Sequence, residues 1–401
     1  MKTFFYKTKG IAALAMAMTL CTTPVFAADS VALSAEAQGV QTAKPQPVVE
    51  EEAPKPLQKL TEEDAYVKAR KNSPDLREIQ ETVDYLYEVK GDFWDDGFTS
   101  VPTYKYQKWN NPGLHAINTA LFQTETSIQQ SSIGRQMTEL GLQMAVKSYF
   151  TSIHTDLDNL KLAQENVKMQ EKQLEQAELK YKLGMMSKYN FEKQKTALAQ
   201  AKDSIIQLEN SLEQKYIKLN DLMGEKAETR FEYVYETTFA PYQMTHTMEQ
   251  FITDKTQNEL SIKLLELNLE TAKFNKNYMS ENVTGAEMDK NELAYDQAMR
   301  ALKNARSDME LAIKNAHLQI QQLETAYQTA VTDLEKAQAD YRAIQVQYQA
   351  GNVTKLMVEQ ARMGILQKEL ALKSLAYNHD MLIFSFEHPS LLASASDSSA
   401  K

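Results

Sequence analysis

Tyr181-Lys182-Leu183-Gly184-Met185-Met186-Ser187 and Tyr348-Gln349-Ala350-Gly351-Asn352-Val353-Thr354 lie 167 residues apart, and reading them as one motif used twice decides the fold. In each, a glycine stands where a helix can end in the left-handed conformation that a residue without Cβ adopts freely. Three residues on, the hydroxyl of Ser187 or Thr354 can cap the helix that follows. Each motif therefore predicts a tight reversal between two antiparallel helices.

The same offset holds outward from the turns without a gap. Ala145-Val146-Lys147 falls on Ala312-Ile313-Lys314, Glu192 on Glu359 and Gln200 on Gln367. Self-similarity of this kind points to a duplicated structural unit. From Leu302 the apolar positions run through Ala305, Met309, Ala312, Ala316, Ile320, Leu323, Tyr327, Ala330, Leu334, Ala337, Tyr341 and Ile344 to Tyr348. The steps alternate three and four, with one additional four between Ala316 and Ile320. That is a heptad seam with a stutter, the pattern of a coiled coil. Shifted by the repeat, it returns as Leu160, Ala163, Val167, Gln170, Leu174, Ala177 and Tyr181. The return arms match as well: Phe191, Leu198, Ala201, Ile205, Leu208 and Leu212 against Val358, Ile365, Lys368, Leu372, Leu375 and His379. A helix over 286–349 would be roughly 95 Å long at 1.5 Å per residue.

The expected fold is all-α: two tandem long coiled-coil hairpins with little or no β-barrel. The first repeat spans 59–224, the second 248–392, and 225–247 is a connector with one short strand around Phe231 to Tyr235. Each repeat opens with a short helix, 61–71 or 248–255, and a break, Asn72-Ser73-Pro74-Asp75-Leu76 or Thr256-Gln257-Asn258-Glu259-Leu260.

Composition agrees. Gly (12) and Pro (10) are scarce in 401 residues, as long helices require. A net charge of -10 argues against a nucleic-acid partner, because phosphate binding needs a basic face. Lys2, Lys7 and Lys9, the apolar run 11–20 and Val25-Phe26-Ala27 read as a signal peptide over 1–27, so the chain is expected in the cell envelope. Its removal would take three lysines and leave a net charge of -13. The single cysteine, Cys21, lies inside that segment and reads as a passenger. Residues 28–58, rich in Pro, Glu and Ala, and the tail 393–401 read as disordered. No catalytic, cofactor or metal constellation stands out: the six histidines are dispersed, and His379, on the seam, reads as packed.

In this order, Thr61-Glu62-Glu63-Asp64-Ala65, Asn72-Ser73-Pro74-Asp75-Leu76, the duplicated turns and Leu222-Met223-Gly224 resemble the outer membrane efflux protein (TolC) family over residues 60–392. The resemblance implies a subunit of a homotrimeric helical duct that exports small molecules or proteins. It also implies a membrane fusion (adaptor) protein docked on the turns, linking the duct to an inner-membrane pump. Carried over by position, the docking residues are Leu183, Gly184, Ser187, Ala350, Gly351 and Thr354. The family inserts a strand pair between the upper helices of each repeat, and here the second repeat has room only for a turn at 282–285. The first keeps Phe93, Trp94, Phe98, Tyr104, Tyr106 and Trp109, read as a loop packed on helix ends in preference to a remnant strand pair or aromatics at a membrane interface. Direct membrane insertion is therefore not expected. The acidic constriction found after the second turn in the family is replaced by Met357 and Gln360, with Glu359 between them. Outside the resemblance, a non-conducting envelope scaffold built on the same hairpins is the competing reading.

Overall fold

A computed structural model describes residues 57–95, 112–235, 237–278 and 283–392, all within the unit Pro56–Lys401. The expected signal, most of the spacer and the tail lie outside these residues, as do Phe98, Tyr104, Tyr106 and Trp109.

The first repeat runs β1 (Gln58–Thr61), α1 (Glu62–Asn72), α2 (Pro74–Asp95), α3 (Pro112–Lys182) and α4 (Lys188–Met223). After β2 (Phe231–Val234), the second runs α5 (Met248–Asn258), α6 (Leu260–Asn277), α7 (Gly285–Gln349) and α8 (Lys355–Glu387). The fold is thus two tandem long helical hairpins, α3–α4 and α7–α8, each preceded by two shorter helices. At 71 and 65 residues, α3 and α7 extend for about 105 and 100 Å.

Start and stop chemistry explains the breaks. Pro74 cannot continue α1, whose C-cap is Ser73. Thr61 accepts a hydrogen bond from the Asp64 backbone N–H, and Glu62, Glu63 and Asp64 follow at the positive end of the helix dipole. Thr247 and Gln250 form a reciprocal capping box on α5. Thr284 caps α7.

The seam read from the sequence is the seam of the hairpins. Every predicted position in α7 from Leu302 to Ile344 is buried or half-buried, and only Tyr348, at the open end, is exposed. At the stutter, Ile313 is fully buried while Ala312 is half-exposed. An irregular step rotates the stripe, so the larger neighbour takes the core position.

Two features were not foreseen. The strand at Phe231–Val234 has a partner: Gln58–Thr61 pairs with it in parallel, Leu60 opposite Tyr233. Leu60, Phe231 and Tyr233 join Val146, Phe150, Ile153 and Leu219 in one core, so this strip caps the middle of the first hairpin. Phe150 meets Tyr233 edge-on at 5.7 Å between ring centroids. Burial drives the Tyr233 phenol up to about 12.

The other feature is a second stripe on α8. Met363, Leu370 and Tyr377 are buried and Phe384 is half-buried, at steps of seven residues, alongside the hairpin seam. This stripe lies against α3 of the first repeat. The cross-pairs run antiparallel: His154 faces Tyr377 at 6.3 Å between ring centroids. Asp158 meets Lys373 at 3.4 Å, and Lys172 meets Glu359 at 2.6 Å. The two hairpins are therefore zipped side by side, α3 to α8.

The connector after β2 lies over the second hairpin. The Tyr235 hydroxyl donates to Asp380 at 2.7 Å, and the Tyr242 backbone N–H donates to Glu324 at 2.7 Å. Phe239 stacks on Tyr327 and touches the His379 ring. His379 is buried, 3.3 Å from Glu324, a packed histidine as its seam position suggested.

Candidate functional site

The two hairpin turns carry the same backbone device. The Gly184 N–H donates to the Tyr181 carbonyl at 3.0 Å and the Met185 N–H to the Lys180 carbonyl at 2.8 Å. In the second turn, Gly351 N–H to Tyr348 O and Asn352 N–H to Gln347 O are both 2.9 Å. This paired closure satisfies the last free carbonyls of α3 and α7, and it requires the left-handed residue. Gly184 has φ 70° and Gly351 φ 77°, a region that side chains with a Cβ rarely adopt. A Cβ at either position would meet nothing within 4 Å, so the constraint is conformational and not steric.

The caps that open α4 and α8 differ. Ser187 accepts from the Asn190 backbone N–H at 3.3 Å, as its hydroxyl predicts. Thr354 has the extended cap backbone but makes no side-chain cap bond, so the expectation of a hydroxyl cap there is corrected. Thr61, Thr247 and Thr284 do cap through their hydroxyls, so at Thr354 the extended backbone alone sets the corner.

The two turns lie at the same end of the hairpin pair. Stepping down the α3–α8 register from Asp158–Lys373 and Lys172–Glu359 puts Gly184 level with residue 347 and Gly351 level with residue 180. Leu183, Gly184, Ser187, Ala350, Gly351 and Thr354 are all exposed there. Met185 and Tyr189 are 74% and 76% exposed, and Leu183 is 64% exposed, so the first tip presents apolar side chains at its apex. Met357 and Gln360 are also exposed, and Glu359 is engaged by Lys172 across the hairpins.

At the opposite end, seven residues join Asn277 of α6 to Gly285 of α7. His115 stacks on Tyr278 at 4.8 Å, and Phe122 on Phe274 at 3.8 Å. Of the aromatic group expected there, Phe93 and Trp94 are in the last turn of α2, and Phe93 is half-buried.

A polar cluster at mid-height escaped the sequence reading. The Lys147 ammonium, on α3, sits 2.5 Å from Asp380 of α8 and 3.5 Å from Glu62 of α1. These residues line a cleft of about 470 Å³ with Tyr235, Thr237 and Thr238. Burial pushes the Glu62 carboxyl up, and the Lys147 charge only partly opposes it. Burial also pushes the Tyr235 phenol up. Only the folded pairing of α1, α3 and α8 brings these groups together; in the sequence Lys147 stands out only as the repeat counterpart of Lys314. No group of His, Cys, Asp and Glu among the described residues could hold a metal ion. Likewise, no described helix is long and apolar enough to cross a membrane.

Residues 115–225, which cover the first hairpin, match the family model described as outer membrane efflux protein. Among solved structures, the fold is similar to the outer membrane protein VceC of Vibrio cholerae at TM-score 0.60 and 11% identity, covering 82% of this chain and 96% of that one. It is also similar to the CmeC outer membrane channel of Campylobacter jejuni at TM-score 0.63 and 10% identity, covering 82% and 85%. A membrane protein from Pseudomonas aeruginosa gives TM-score 0.61 at 10% identity, covering 81% and 89%. At such identities the likeness is one of fold. Comparison with curated proteins gives no match. The first hairpin thus matches the outer membrane efflux protein family in sequence, and four fifths of the chain is similar in fold to these outer membrane proteins, with little or no β-barrel among its described residues.

Proposed function

We propose that this protein is the helical duct component of an envelope efflux assembly. It is exported by the leader at 1–27, assembles as a homotrimer and receives a membrane fusion protein on its paired tips. Through that adaptor it works with an inner-membrane pump on small molecules or proteins. The family is one of channels, not enzymes, and the polar clusters here read as structural.

The observation that carries this reading is the pair of exposed turns, closed by Gly184 and Gly351, side by side at one end of a TolC-like hairpin pair. Exposed rigid corners on long helices suit recognition, because little order is lost on binding. Replacing both glycines by tryptophan is expected to cut pull-down of a membrane fusion protein at least tenfold, with the circular dichroism still helical. Unchanged binding would refute the docking role of Leu183, Gly184, Ser187, Ala350, Gly351 and Thr354.

One observation favours the scaffold reading instead. The seven residues between α6 and α7 are fewer than the roughly 9 to 11 that a single membrane strand needs. A rod that spaces two layers of the envelope needs no strands. Electron microscopy of the purified protein separates the two: a hollow ring supports the duct, and a solid rod supports the scaffold.

A further inference from the structure

The tips are alike in backbone and unlike in chemistry. Across the repeat, Leu183 corresponds to Ala350 and Met185 to Asn352, so the first apex is apolar, whereas the second is small and polar, with Val346, Tyr348 and Met357 exposed on its flanks. Charge also concentrates at the first tip. Residues 178–195 hold five lysines against two glutamates, in a chain whose net charge is -10. Lys182 is paired with Glu178 at 2.7 Å, whereas Lys180, Lys188, Lys193 and Lys195 are exposed and form no ion pair among the described residues. The matching segment 345–362 holds Lys355 and Arg362 against Glu359, which Lys172 already neutralises at 2.6 Å.

The seam also stays open at this end. Tyr181 stacks on Phe191 at 5.1 Å, the last ring pair of the first hairpin, and remains 38% exposed with Leu183 and Met185 beyond it. A coiled coil whose apolar stripe runs out to its end can be continued by another helical pair that supplies the next layer. A broad lipid surface would instead reward a wide apolar face lying flat. Here the apolar groups sit on one narrow apex.

We propose that the first tip is the anchor of the docking surface, and that its partner there is a helical hairpin with an apolar end flanked by acidic side chains. This rests on the tip-docking reading given above. Leu183, Met185 and Tyr189 supply the desolvated centre, and the four unpaired lysines select the partner by charge and speed its approach. The second tip sets register and adds little affinity.

The test uses the full chain and the isolated hairpin domain of a membrane fusion protein, made in two forms whose tip flanks are all glutamate or all lysine. The glutamate form is expected to bind at least tenfold more tightly, with the advantage shrinking between 50 and 500 mM salt as screening predicts. Lys180→Glu with Lys188→Glu should reverse the preference. Giving the first tip the second tip's side chains, Leu183→Ala with Met185→Asn, should weaken both forms at least tenfold, whereas Ala350→Leu with Asn352→Met should not weaken them. Equal binding of the two forms, or no loss from the Leu183 and Met185 exchange, overturns this proposal and leaves tip docking standing. Binding of neither form, with the chain and both hairpin forms still helical, overturns tip docking itself. Sedimentation of the chain with anionic phospholipid vesicles, lost on the same lysine changes, would overturn the protein partner in favour of a membrane.

Discussion

α4 and α8 hold the same place in their hairpins and lead different lives. Each lays one seam on its long partner, Leu198 and Leu212 in the first repeat, Ile365 and His379 in the second. On the adjoining face α8 carries Met363, Leu370, Tyr377 and Phe384, while α4 carries Thr196, Asp203, Asn210 and Ile217. The first set is buried or half-buried against α3, and the second is exposed. Duplication copied the hairpin; a second heptad stripe on one copy joined the copies into a pair. Lys147 and its counterpart Lys314 show the same divergence. Lys147 is buried between Asp380 and Glu62, and Lys314 is half-exposed with only its neighbour Glu310, one turn away. A motif conserved by duplication thus became a joint in one repeat and a surface charge in the other.

The sharpest way to break this comparison is at the joint. Lys147→Met leaves Asp380 and Glu62 facing each other without a cation, and is expected to cost about 2 kcal/mol in urea unfolding, less than a fully buried pair because both carboxylates stay part-exposed. Lys314→Met should change stability by less than about 0.5 kcal/mol. Similar costs for the two lysines would refute the assignment of the joint.

Next is the stripe itself. Tyr377→Asn, which makes α8 resemble α4, should lose about 2 kcal/mol by removing a buried ring from the α3 contact. The reverse change, Asn210→Tyr, should be close to neutral in the same measurement.

The third comparison is among glycines. Gly224 closes α4 with φ 72°, and a Cβ there would meet the Asn72 side chain at 2.5 Å. Gly224→Ala is therefore expected to cost about 2 kcal/mol, strain and clash together, against about 1 kcal/mol for Gly184→Ala or Gly351→Ala. Equal losses in thermal melts would mean that the Asn72 side chain moves aside.

The smallest effect is one of pH. Glu62 has its pKa raised in the folded state, so the fold binds its proton more readily than the unfolded chain does. Its ionised form therefore weighs against folding above the raised pKa, and that penalty disappears as pH falls below the ordinary carboxylate value. Glu62→Gln should stabilise slightly at pH 7, with the gain vanishing near pH 4. A gain that grows on acidification would reverse the sign argued here.

Much of this molecule is written locally. The heptad seam, the glycine corners at 184 and 351 and the proline break at Pro74 act within a few residues, through helix periodicity and φ preference, so each could be read directly. The α8 stripe was equally present in the sequence, as a seven-residue recurrence that the 167-residue shift turns polar at three of its four positions, but its meaning depends on which helix faces it. Apolar spacing says that a face will be covered and not by what.

What the tertiary structure alone decided is the set of contacts between segments far apart in the chain. Gln58–Thr61 pairs with Phe231–Val234, Lys147 with Asp380, and Tyr242 with Glu324. Four residues of strand carry almost no periodic signal, and a lone lysine looks the same on a surface as at a joint. These pairings exist because two zipped hairpins bring distant backbone and charge together, where burial makes each unpaired group costly. Local sequence determined the hairpins and their corners; the energetics of covering their second faces determined how they sit together.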